Sequence, residues 1–341
     1  MTRTATFLVF LTALGTGCAS TGLNAPDSWH VAKSKRFTMY TPTTVSHGEL
    51  LNGLEYHYAS LSSSFFRKDI GSVDVLFLED VDFVDTFGSR RSNVALHRIP
   101  GGGKIGKDGL VIIKGVQGDL GAAEAVTHVF IDRVLPTAPL WFHEGFASYG
   151  RSGEYKEGEG RRVACYGAAP ANDPRFAMDA RFIPLDKLFA MSWDEYDGEE
   201  ARAWYKNTAK MLIDFSMHGE DGKRQKAMGA MVEGFLSGQN TAAIIKTGFP
   251  DLDVKTLSER VIAHGTDIAN RPSNLRGLCP IGFPIPPEKA ADVGDHPLTA
   301  ADGADIRAVI AAIKTLPRRA DGFPGWYPEE IIARAEKTPG Q

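Results

Sequence analysis

Two apolar helical stretches, laid end to end across a proline-marked break, constrain this chain more than any other feature. From Asp119 onward, Leu120, Ala123, Thr127, Phe130, Ile131 and Val134 recur at the spacing of one helix face, with Asp119 placed to cap the start. Pro136 cannot continue that helix, and Pro139 suits the first turn of a new one carrying Trp141, Glu144, Gly145 and Ala147. Glu124 and His128, four residues apart, fall on one side of the first helix.

The segment before this pair reads as strands around one helix. Residues 36–40 and 73–78 alternate in the strand manner, with Val73, Val75 and Phe77 on one face, and residues 49–66 have helical spacing. Two more strands, at 94–99 and 109–114, flank a glycine-rich stretch that reads as a hairpin loop. Its Gly101-Gly102-Gly103-Lys104 lacks the Ser or Thr of a phosphate loop and does not run from a strand into a helix. After an irregular stretch containing Cys165, helices follow at 199–218, 223–236, 241–247 and 253–263. The tail from Thr266 holds more than half of the chain's 19 prolines and is expected to wrap over the body with two short helices, at 305–314 and 328–337. The fold class is therefore α+β.

The first seventeen residues stand apart. Arg3 precedes an apolar run from Ala5 to Leu14, too short to span a bilayer, and Gly15-Thr16-Gly17 leads into Cys18. This is the form of an export signal. A cysteine directly after small residues resembles the bacterial lipoprotein signal, which implies cleavage before Cys18, acylation of its thiol, and a lipid anchor in the cell envelope. Ala19, where inner-membrane lipoproteins carry Asp, favours the outer membrane by the same resemblance. A plain cleaved secretory signal is the alternative. The expected divisions are a signal at 1–17, a tether at 18–28, a sheet and helix-pair lobe at 29–150, a helical lobe at 151–265 and a Pro-rich extension at 266–341.

With Cys18 acylated, Cys165 and Cys279 remain, and in an oxidising compartment they are either a disulfide or two thiols. A net charge of -4 on 341 residues offers no basic surface for nucleic acid, so that class of partner is excluded.

The chemistry concentrates on the helix pair. A zinc hydrolase site of the thermolysin type needs two His four residues apart on a helix, a Glu directly after the first as general base, and a third ligand from a following helix. Here Glu124-Ala125-Val126-Thr127-His128 is followed sixteen residues later by Glu144. Thr127-His128, Pro139-Leu140-Trp141, Glu144-Gly145, Ala147 and Tyr149 resemble the peptidase MA-like domains of the gluzincin group, as do Lys35 to Thr41 and the helices from Tyr205. The resemblance covers roughly residues 36 to 262 and implies a zincin-like scaffold: a small N-terminal sheet, two active-site helices and a helical C-terminal lobe.

It also implies roles. Glu124, His128 and Glu144 fall on the three zinc-ligand positions, Ala125 on the general base, and Tyr205 on a hydroxyl that stabilises an oxyanion. The first His is thus a Glu and the base a methyl group, which removes a contribution on the order of 10² to 10⁴ in rate. The expectation is a lipid-anchored, catalytically inactive peptidase-like protein that binds a peptide or protein partner in its cleft. The alternative is a residual zinc-dependent metallohydrolase on Glu124, His128 and Glu144. Plainer roles stand beside these: Glu124 as a solvated charge near a helix start, His128 as a histidine at the edge of the apolar stripe, Glu144 as the partner of an Arg, and His143 facing solvent.

Overall fold

The computed structural model describes residues 29–42, 48–78, 94–96, 110–114, 118–151, 154–158, 161–166, 181–191, 199–220, 222–270, 281–285, 294–297 and 300–315. The signal with Cys18, the tether, the glycine-rich loop, Cys279 and the helix expected at 328–337 lie outside the described residues.

The strands are β1 (His30–Lys33), β2 (Phe37–Thr41), β3 (Val73–Leu78), β4 (Val94–Leu96), β5 (Leu110–Lys114), β6 (Glu154–Gly158), β7 (Arg161–Tyr166), β8 (Ile281–Ile285) and β9 (Gly294–Pro297). Among the helices, α1 is Gly48–Ser60, α2 Gly118–Val134, α3 Leu140–Arg151, α4 Leu185–Ala190 and α5 Glu199–His218. They are followed by α6 (Gln225–Leu236), α7 (Thr241–Gly248), α8 (Val254–Asn270) and α9 (Ala300–Thr315). The chain is α+β, as its pattern of elements predicts.

Six strands form one mixed sheet in the order β4-β5-β3-β2-β1-β9. β2, β3 and β5 run parallel, and α1 makes the crossover that a parallel β2–β3 pair requires. β3 sits inside the sheet and is buried at every position but Asp74. A strand so covered reads as a continuous apolar run instead of the one-sided alternation expected for Val73, Val75 and Phe77. The sixth strand comes from the C-terminal extension: Gly294–Pro297 pairs antiparallel with β1. The sheet is therefore larger than the small N-terminal one expected.

The helix expected over 49–66 changes at Ser60 into one wide π turn, Leu61–Phe65. That turn sets the rings of Phe65 and Phe66 edge-on to Phe146 of α3, at 5.2 and 5.3 Å between centroids. α2 packs between α1, β4, β5 and α3. Ala122, Ala125, Val126, Thr127, Val129, Phe130, Ile131 and Val134 are accordingly all buried. One apolar stripe would serve a surface helix; α2 is enclosed on most sides, and Ala123 of the expected stripe is only half-buried. Its start at Gly118 places Asp119 inside the helix. The break behaves as read: Pro136 is exposed, and the Pro139 carbonyl accepts the first helical bonds of α3, from the N–H groups of Phe142 and His143.

α5 is the axis of the helical part and packs against α3, α4, α6 and α8. Its aromatic and aliphatic side chains share one core with those of the sheet and helix pair, from Phe37 and Val75 to Val261 and Ile268. The boundary expected after residue 150 thus falls inside a common core, and that expected after 265 falls within α8. Among the described residues, Cys165 itself lies in a strand and not in irregular chain. Glu154–Gly158 and Arg161–Tyr166 form a hairpin, and β8 from the extension joins it with Cys165 opposite Gly282. No helix among the described residues is long and apolar enough to cross a membrane.

Candidate functional site

The site is assembled by an unusually close approach of α3 and α5. A Cβ on Gly145 would lie 2.6 Å from the Ala209 carbonyl oxygen, so only glycine permits this contact. Glu144 is the preceding residue, and Tyr205 and Lys206 lie one turn before Ala209 on α5, so the contact delivers all three to one place. Glu124 and His128 reach it from α2, one above the other.

The ligand atoms of Glu124, His128 and Glu144 all lie within 4.8 Å of one another. The three residues expected to converge do so. The Glu144 side chain is 2% exposed and that of Glu124 15%. Glu124 is therefore not a solvated charge at a helix start. Lys206 Nζ donates to Glu124 Oε1 at 2.9 Å and stands 3.0 Å from Glu144 Oε2. Glu144 has the basic partner its plainer role requires, but that partner is a lysine on α5 instead of an Arg.

The neighbours of the cluster are buried too. His143, expected to face solvent, is 2% exposed, with its ring stacked on that of His128 at 6.2 Å and 12°. α3 is covered at nearly every position, so adjacency to Glu144 does not bring His143 to the surface. Ala125 is 2% exposed and belongs to the hydrophobic core, so a buried methyl group stands where the resemblance implies a general base. Tyr205 is 1% exposed; burial, and secondarily the nearby Glu144 carboxylate, push its phenol well above the usual range and keep it neutral.

Two carboxylates and an imidazole are a donor set that zinc accepts. The arrangement here does not fit the ion, because an ammonium already contacts both carboxylates, and two cations at the same pair of oxygens repel strongly.

Behind the cluster the helices are fastened by buried polar contacts. The His57 imidazole of α1 is hydrogen-bonded to the Thr127 hydroxyl at 2.8 Å, and a Cβ on Gly150 would meet that hydroxyl at 2.6 Å. Burial lowers His57 to about 4, opposed in part by a hydrogen bond to the Ala123 backbone. Farther along α5, Asp214 is fully buried, with Oδ1 2.7 Å from His264 Nε2 of α8, while His218 Nε2 is 2.8 Å from the Tyr149 hydroxyl of α3. Burial works against the Asp214 carboxylate, but the His264 hydrogen bond and the charges of His218, His264 and Lys210 bring it below the usual range.

Lys206 is the residue that sequence reasoning did not find. Its one local signal was its place beside Tyr205, since the helical spacing of α5 does not reveal which side chains of α2 and α3 it meets. No protein-family model matches this chain, and no curated protein matches it.

Proposed function

We propose that this chain is an exported lipoprotein, anchored through Cys18 in the outer membrane, whose body is a zincin-like domain without peptidase activity that binds a peptide or protein partner in its cleft. The observation that carries the inactive reading is the buried methyl of Ala125 beside the first ligand position. Water attack on a peptide bond needs a proton acceptor there, and its loss lowers the rate by on the order of 10² to 10⁴. The scaffold part of the reading is supported by two successive helices that bring Glu124, His128 and Glu144 together under a mixed sheet. The competing reading, a residual zinc-dependent metallohydrolase, draws on that same convergence and requires the ion to displace Lys206 from the two carboxylates.

Purified mature protein separates the two. The inactive reading expects no hydrolysis of a mixed peptide library with zinc supplied. Hydrolysis that chelator and His128→Ala both abolish would establish the residual hydrolase instead. The anchor is tested by Cys18→Ala, which is expected to move the protein out of the membrane fraction. A variant processed and retained in membranes like the wild type removes the lipid anchor.

A further inference from the structure

We infer that Lys206 is the resident cation of the Glu124–His128–Glu144 cluster, its ammonium holding the two carboxylates in place of a divalent ion; the inference rests on reading those three residues as ligand positions.

Charge requires some cation here. The Glu144 side chain is 2% exposed, and keeping a carboxylate ionised at such burial is costly unless a counter-charge stands beside it. Lys206 supplies it, in contact with both acids at 2.9 and 3.0 Å. A lysine ammonium suits the position because it is compact and carries three donors that can turn toward separate oxygens. Nor is its placement accidental to the packing. The Gly145–Ala209 contact locks the register of α5 against α3, and residue 206 then has to face the ligand residues.

The substitutions at the cluster are consistent with one another. With Glu at 124 instead of His, two negative charges meet at the site, and one ammonium can bridge them where it has no such partner in a two-imidazole, one-carboxylate set. Lys206 retains a 32% exposed side chain, so it is accessible to solvent at one edge while its charge is engaged inside. The cluster is therefore built to be occupied from within, and a divalent ion binds only by displacing Lys206.

The test is zinc binding by calorimetry on the full mature protein, with Lys206→Met, Lys206→Arg and the pair Lys206→Met with His128→Ala. Wild type and Lys206→Arg are expected to bind zinc weakly at this site. Lys206→Met should gain roughly tenfold or more in affinity, since the competing charge is gone and the donors remain. The His128→Ala pair should lose that gain. Equal affinity in wild type and Lys206→Met overturns the inference while leaving the inactive reading standing, because that reading is decided by peptide hydrolysis alone. Should Lys206→Met fail to fold, amine acylation of the wild type decides. Lys206 should be labelled roughly tenfold or more slowly than the exposed Lys68, as expected for an engaged ammonium. Labelling as fast as Lys68 overturns it.

Discussion

Gly145 meets the backbone of Ala209 so closely that a Cβ at 145 would stand 2.6 Å from the carbonyl oxygen and 2.7 Å from the carbonyl carbon. The obstacle is helix backbone, which cannot turn aside as a side-chain end can. Gly145→Ala is therefore expected to destabilise the fold by about 1–3 kcal/mol through overpacking, despite alanine's better helix propensity. Urea denaturation measures this. Gly229, where a Cβ meets nothing within 4 Å, is the control, and Gly229→Ala should be neutral or stabilising. Equal stability of the two variants would refute the close-approach account.

Acid should weaken the protein through His57. The unfolded chain binds this proton near pH 6.5, whereas the folded chain resists it until about 4. Stability is thus fully present above pH 6.5 and is lost as the pH falls toward 4, by an amount on the order of 3 kcal/mol. His218, lowered chiefly by burial, acts in the same direction. His57→Gln keeps a polar group near Thr127 without the titration, so its stability should fall less between pH 7 and pH 4 than that of the wild type. Parallel pH profiles for the two proteins would remove His57 as the source.

If the proposed zincin-like reading holds, a working peptidase site would take more than the ligand and the base. Glu124→His with Ala125→Glu supplies both, yet Lys206 then remains against Glu144. Hydrolysis is expected to stay undetectable in that double variant and to emerge, slowly, only when Lys206→Met is added. Ala125→Glu alone should cost stability, at least about 2 kcal/mol, because it places a carboxyl at a position 2% exposed. Detectable zinc-dependent turnover by the double variant would show that Lys206 yields readily.

If the chain is exported to an oxidising compartment as proposed, Cys165 and Cys279 are expected to form a disulfide. β7 places Cys165 opposite Gly282, three residues from Cys279 in the chain. A bridge closing a loop of about 114 residues would restrict the unfolded chain by about 4–5 kcal/mol in the simple entropy model. Mass spectrometry without reduction should find the two peptides joined. Recovery of both thiols in alkylatable form from folded protein excludes the bridge.

What the sequence determined by itself was local. The break between α2 and α3 follows from Pro136 and Pro139, which act within a turn of their own positions, and the ends of α5 at Glu199 and His218 follow from its spacing and from Gly219. β3 was legible as Val73–Leu78 for the same reason, and Glu124, His128 and Glu144 were legible as a set because two lie on one helix face and the third follows a short break. Tertiary structure decided everything that depends on segments distant along the chain. Glu154–Gly158 has little strand character of its own and becomes one through pairing with β7, which β8 from the extension covers on its other side. Gly294–Pro297 likewise becomes a strand only because β1 offers a free edge to it. His143 is buried because α3 is enclosed, and Lys206 meets Glu124 because Gly145 lets α5 approach within contact of the helix pair. Backbone turns and helix periods are written within a few residues, but strand partners and ion pairs are selected by which faces the whole chain can bury together.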